Sequence, residues 1–234
     1  MIENSARPYA VDALVFDAYG TLFDVQSVAA TAEALFPGRG ATLARLWRSK
    51  QLEYSWLQSL MQSPMQPRED FAAVTGHALG YAAEALALPL SSHARHRLLD
   101  AYLDLSPFPD VEPTLAALAP RPRLILSNGT RAMLEPLAAA TGLARHLAAI
   151  LSVDDAGVYK PSPRVYQLAV DELKCLPIRI GFVSSNAWDA IGAKAFGFTV
   201  FWINRAGAPL DRHGPRPDCT ISTLADLPAL LAGV

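Results

Sequence analysis

The stretch Ala13-Leu14-Val15-Phe16-Asp17-Ala18-Tyr19-Gly20-Thr21-Leu22-Phe23-Asp24 decides how the chain is to be read. Leu14 to Phe16 are strand formers, and the run, placed at residues 13–17, ends on an acid. Tyr19-Gly20-Thr21 then breaks it. In an open parallel sheet, ligands bind outside the carboxyl ends of the strands. A first strand ending in Asp17 therefore aims a carboxylate at the site, and its position alone makes Asp17 a candidate nucleophile.

Downstream the pattern turns helical. Val25 to Phe36 reads as a helix and stops at Pro37-Gly38-Arg39-Gly40. Ala41 to Met61 has Leu43, Leu46, Trp47, Tyr54, Leu57, Leu60 and Met61 at spacings of three, four and seven, which predicts a long amphipathic helix. Ser63-Pro64 and Pro67 interrupt it. Helices are expected over Phe71–Leu86 and Ser91–Leu103, and Pro107 and Pro109 close the block. Strands then alternate with helices. Strands are predicted at 123–127, 147–153, 180–183, 198–203 and 218–221, and helices at 131–141, 162–173, 187–196 and 224–231. This order predicts an α/β fold: a doubly wound, mostly parallel, Rossmann-like sheet. The helical block would be a cap inserted after the first strand. The expected division is a core of residues 11–23 and 107–234 and a cap of residues 24–106.

Composition narrows the class of function. Of 234 residues, 51% are hydrophobic and 18% charged, enough for a substantial core and unlike a disordered chain. Lys and Arg number 20 against 22 Asp and Glu, so the net charge of −2 gives no basic footprint for nucleic acid. No stretch approaches the ~18 apolar residues of a membrane span. Met1 to Ala10 reads as a loose arm without an apolar leader core. Cys175 and Cys219 have no metal-type spacing, which suits two thiols in a reducing cytoplasm. The five histidines show no ligand spacing either.

Polar residues gather where strands end. They are Asp17, then Ser127-Asn128-Gly129-Thr130, then Tyr159-Lys160-Pro161, then Ser184-Ser185-Asn186 with Trp188 and Asp189 behind. One such ending is a common helix cap, but four that include two acids and a lysine make a site.

Phe16-Asp17-x-Tyr19-Gly20-Thr21-Leu22, Leu126-Ser127-Asn128-Gly129, Tyr159-Lys160-Pro161 and Phe182 to Asp189 resemble the four ordered motifs of the haloacid dehalogenase superfamily. They are most similar to its L-2-haloacid dehalogenase branch, as are Leu46 to Leu57 and Phe201 to Arg205. Phosphatases of the superfamily carry a second acid two residues after the nucleophile and another where this chain has Ser185. Tyr19 and Ser185 here leave neither that proton donor nor a good oxygen cage for magnesium. A superfamily phosphatase and a non-catalytic member of the fold are the rival readings.

The resemblance implies metal- and cofactor-free hydrolysis of short (S)-2-haloalkanoic acids to (R)-2-hydroxyalkanoic acids. A carboxylate is ionised at neutral pH and attacks without a base. Asp17 would displace halide from C2, and Asp189 would activate the water that hydrolyses the ester. A substrate carboxylate about 4 Å from Asp17 costs about 4 kcal/mol at an effective dielectric of 20, so cations are required. Lys160 would hold Asp17, and Arg48, assisted by Asn128, would take the halide. Arg48 could alternatively pair with Glu53 on a solvated face. Ser127 and Thr21 would bind carboxylates, and Ser184 and Asn186 would position Lys160 or Asp189. Tyr19, Leu52 and Trp188 would wall the alkyl chain. Tyr166 either reaches the site or packs in the core, and Trp47 and Trp56 would lie in the cap core or a subunit contact. A homodimer follows from the resemblance alone.

Overall fold

The computed structural model describes residues 9–63, 65 and 67–231. Most of the expected loose arm thus lies outside the described residues. Tyr9 itself is docked: its N–H donates to the Leu230 carbonyl at 3.0 Å and its hydroxyl to the Asp218 carbonyl at 2.9 Å.

Six strands form one parallel sheet in the order β3-β2-β1-β4-β5-β6. They are β1 (Ala13–Phe16), β2 (Arg123–Ser127), β3 (Ala149–Ser152), β4 (Ile180–Ser184), β5 (Thr199–Ile203) and β6 (Cys219–Ile221). The residues of β1, β4 and β5 are all buried, as expected of strands covered by helices on both faces. Full burial of each large apolar side chain contributes about 1.5–3 kcal/mol. The topology is the doubly wound sheet expected from the sequence. The third strand is shorter than predicted, because Val153 already begins a single 3₁₀ turn.

β1 is central, and Phe16 lies opposite Ile125 of β2 and Val183 of β4. The carboxyl ends of these three strands therefore meet at one edge. Asp17 follows the last residue of β1, and its N–H continues the ladder to the Val183 carbonyl at 2.9 Å.

Helices α1 (Gln26–Leu35), α2 (Gly40–Met61), α3 (Phe71–Ala85) and α4 (Ser92–Asp100) lie between β1 and the rest of the sheet. The chain leaves and re-enters at one place. Phe23 bridges Pro107, the Asp24 N–H donates to the Ser106 carbonyl at 2.8 Å, and the Phe108 N–H donates to the Leu22 carbonyl at 3.0 Å. Asp70 and Ser91 cap α3 and α4 by accepting from backbone N–H groups three residues on.

The buried line of α2 runs Gly40, Leu43, Trp47, Gln51, Ser55. Its predicted apolar stripe is therefore only half right. At 3.6 residues per turn, steps of four carry the line away from Leu57, Leu60 and Met61, which stay exposed; Leu60 keeps 82% of its surface. Gln51 and Ser55 take the inner positions instead.

The remaining helices are α5 (Val111–Ala117), α6 (Arg131–Ala140), α7 (Pro163–Leu173), α8 (Ala187–Phe196) and α9 (Leu227–Leu231). Pro163 opens α7, where its missing N–H costs nothing. α5 was not signalled by the sequence, since its seven residues are too few to show a period. Asp110, just before it, accepts two hydrogen bonds from Arg205, at 2.8 and 2.9 Å, and also accepts from Thr223 Oγ1 and the Leu224 N–H. Arg205 stacks over Phe108. No helix among the described residues is long and apolar enough to cross a membrane.

Candidate active site

Asp17 keeps only 6% of its surface. Its Oδ2 accepts from the Thr21 hydroxyl and from Asn186 Nδ2, each at 2.9 Å, and Lys160 Nζ donates to its Oδ1 at 3.2 Å. Three donors thus fix one carboxylate. Thr21 can reach back because Gly20 adopts a left-handed conformation, φ +84°. The Thr21 oxygen also accepts the Ser185 N–H at 2.9 Å, tying the loop after β1 to the loop after β4.

Lys160 is 1% exposed and bridges two acids, with Nζ also donating to Asp189 Oδ2 at 2.9 Å. Its backbone N–H donates to Asn128 Oδ1 at 3.1 Å. Burial opposes the ammonium charge, but the Asp189 and Asp17 carboxylates outweigh it and raise the Lys160 pKa. Asp189 is fully buried. Burial pushes its pKa up, and Lys160 only partly offsets this. The other oxygen of Asp189, Oδ1, accepts from the Tyr166 hydroxyl at 2.8 Å. Burial, together with Asp189, keeps that phenol firmly protonated, so it acts as a donor. The two readings of Tyr166 both apply: it lies in the core and holds Asp189, but it does not touch the cleft.

Beside this charged cluster lies a cleft of about 670 Å³ whose lining includes Arg48, Leu52, Ser185, Asn186, Trp188 and Trp202; Asp17, Lys160 and Asp189 are not among its lining residues, and Asn186 joins the two by holding Asp17. Arg48 reaches down from α2. Its Nη1 donates to Gln51 Oε1 at 2.6 Å and its Nη2 to Asn186 Oδ1 at 3.4 Å. The alternative partner Glu53 is taken by Lys50, at 2.9 Å. Gln51 is fully buried and donates to Thr75 Oγ1 at 2.6 Å, so it orients the guanidinium. Its signal in the sequence was a polar residue one turn after Trp47 on the buried line.

Other expectations need correction. Ser184 contacts neither Lys160 nor Asp189; its Oγ accepts the Asn186 N–H at 3.2 Å, so it sets Asn186. Asn186 in turn holds Asp17 itself. Ser127 is fully buried away from the cleft and accepts the Gly129 N–H at 3.1 Å, shaping the turn after β2. Tyr19 does not line the cleft wall: its ring is 4% exposed, stacked on Phe71 with centroids 6.1 Å apart and set edge-on to Tyr102 at 5.9 Å. Trp56 packs edge-on against Trp188 at 5.7 Å, so it belongs beside the site. Trp47 is core, donating to the Thr75 carbonyl at 2.8 Å. Among the described residues no three His, Cys, Asp or Glu side chains group as metal ligands.

A buried carboxylate held by three donors, a shared lysine, a second buried acid and an arginine suit displacement of a leaving anion followed by hydrolysis. Comparison with known proteins points the same way. The family model for haloacid dehalogenase-like hydrolases matches residues 11–197. The chain is 42% identical over 220 residues to (S)-2-haloacid dehalogenase 2 of Pseudomonas sp. strain CBS-3, covering 93% of this chain and 94% of that one. The solved L-2-haloacid dehalogenase RSc1362 superposes with a TM-score of 0.92 at 43% identity, covering 96% of this chain and 100% of that chain. The Xanthobacter autotrophicus L-2-haloacid dehalogenase, solved with chloropropionic acid covalently bound, gives 0.86 at 40% identity, covering 96% and 99%.

Proposed function

Because this chain belongs to the haloacid dehalogenase-like hydrolase family, we infer that it hydrolyses short (S)-2-haloalkanoic acids to (R)-2-hydroxyalkanoic acids and halide. One observation carries the assignment of roles: Asn186, which lines the cleft, holds both the Asp17 carboxylate, gripped also by Thr21 and Lys160, and Arg48, which comes from the helical side.

In the first step an Asp17 oxygen attacks C2 from the side opposite the halogen. The C2–halogen bond breaks, the halide leaves with the electron pair toward Arg48 and Asn128, and an ester joins Asp17 to C2. In the second step water attacks the Asp17 carbonyl and gives a proton to Asp189, whose raised pKa suits a base; the bond between the Asp17 carbonyl carbon and the ester oxygen breaks, and the departing alkoxide takes that proton to become the hydroxyl. The C2–oxygen bond stays intact, so the product keeps an Asp17 oxygen and the configuration inverts once. Leu52 and Trp188 flank the alkyl chain. Residues 24–106 act as a cap whose closure brings Arg48 over Asp17; the adjacent exit and entry of the chain at Phe23 and Pro107 support a hinge there. The exposed Leu57, Leu60, Met61 and Tyr81 on α2 and α3 support a homodimer, and the two free thiols support a cytoplasmic setting.

A single turnover of 2-chloropropanoate with excess enzyme in ¹⁸O-water, with EDTA present, tests this reading. The label is expected in Asp17. Label in the hydroxy acid would refute the ester, and absence of halide release would refute the substrate class. Magnesium-dependent phosphate release would favour the phosphatase reading.

A further inference from the structure

The Tyr19 hydroxyl is buried and has no hydrogen-bond partner among the described residues. Buried hydroxyls are normally paired, so an orphan held rigidly next to a reaction site points to a partner that arrives with the ligand. The ring cannot turn the hydroxyl elsewhere, because Phe71 stacks on it and Tyr102 meets its face or edge. The turn after β2 leaves room for it: a Cβ on Gly129 would lie 2.9 Å from the ring Cε2 and 3.1 Å from the hydroxyl oxygen. The hydroxyl therefore lies against the backbone at Gly129, the residue that follows Asn128 in the turn. The guanidinium of Arg48 is close enough to act on the phenol electrostatically, as is the Asp17 carboxylate, yet burial dominates and keeps the proton on Tyr19.

Resting on the reaction assigned above, we propose that Tyr19 donates a hydrogen bond to the halide as it leaves C2, completing an anion pocket with Arg48 and Asn128. The proton stays on the phenol, and the halide carries away only the bonding pair. The hydroxyl thus acts in the alkylation step and has no part in ester hydrolysis. A hydrogen bond to an anion is stronger when the charge is concentrated, so chloride gains more from it than bromide.

The test is Tyr19→Phe, which keeps the ring and its stacking. Halide release from 2-chloropropanoate and 2-bromopropanoate is followed by rapid quench in single turnovers, beside thermal unfolding. The expected result is a loss of about tenfold or more with the chloride substrate. The loss with bromide should be clearly smaller, ester hydrolysis unchanged, and the unfolding temperature level or higher. Equal losses on both substrates, with or without a drop in unfolding temperature, would assign Tyr19 a purely structural role and overturn the proposal. Unchanged rates would also overturn it. A wild-type protein that releases no halide from either substrate would instead overturn the reaction itself, and the proposal with it.

Discussion

Replacing Lys160 with methionine removes the cation that bridges Asp17 and Asp189. Its Nζ is 3.2 Å from one carboxylate and 2.9 Å from the other, so the two acid oxygens are no more than about 6 Å apart. At that distance two negative charges repel by about 3 kcal/mol at an effective dielectric of 20. Taking one partner from a buried ion pair typically costs about 3–5 kcal/mol of stability. Methionine fills the volume but cannot neutralise either acid. As pH falls below neutral one carboxylate then takes up a proton, and the fully buried Asp189 is the one that burial already favours in its neutral form. Lys160→Met should therefore release halide about 100-fold more slowly and accumulate whatever ester it forms. Urea denaturation should show a stability loss of about 3 kcal/mol or more at pH 7 that narrows at pH 5, where protonation relieves the repulsion. In the wild type Lys160 itself adds no pH dependence over that window. The raised pKa of Lys160 means that its stabilisation is complete below the ordinary lysine pKa and is lost only as pH rises through the folded-state value. Halide release within threefold of wild type, or an unchanged unfolding free energy, would refute the bridging role.

Tyr166→Phe leaves Asp189 Oδ1 without its donor. It should slow ester hydrolysis about tenfold while halide release from the first turnover persists, which mass spectrometry of the esterified protein would show; loss of the halide burst would argue against it. Asp110→Asn weakens the clamp on Arg205, Thr223 and the Leu224 N–H, and should cost about 1–3 kcal/mol in chemical denaturation. Although burial works against it, the Arg205 and Thr223 contacts lower the Asp110 pKa. Its contribution should therefore be present above the ordinary carboxylate pKa and fade as pH falls through the folded-state value, so a constant difference between wild type and variant from pH 7 to pH 2 would contradict the assignment.

The sheet was readable because each strand is a short apolar run ending in a polar cluster, and the order of those clusters is the order of the site. What escaped detection depended on neighbours distant in sequence. The direction of α2 beyond Trp47 depends on where its buried line drifts, and Leu57 to Met61 carry an apolar pattern that faces outward. The roles of Ser184 and Ser127 looked like direct contacts with charge, but both hydroxyls serve backbone N–H groups two residues on. Trp56 comes beside Trp188 only through the packing of α2 over the carboxyl edge of the sheet, across 132 residues of sequence. Tyr166 was ambiguous because one residue does two things: its ring packs on Phe182 and Phe198 while its hydroxyl reaches Asp189.

The packing of Tyr19 limits how this scaffold can change its chemistry. Tyr19, two places after Asp17, stands where the resemblance puts a second acid in phosphatases, and its ring also joins the loop after β1 to α3 through Phe71 and to the segment after α4 through Tyr102. Exchanging it for an acid would supply a proton donor and, at the same stroke, remove the ring that packs between the sheet and the helical layer. A single-residue path between the two activities therefore gives up two aromatic contacts, about 0.5–1.5 kcal/mol each, along the way. Laboratory conversion in either direction should require compensating changes at positions 71 and 102 before, or together with, the change at 19.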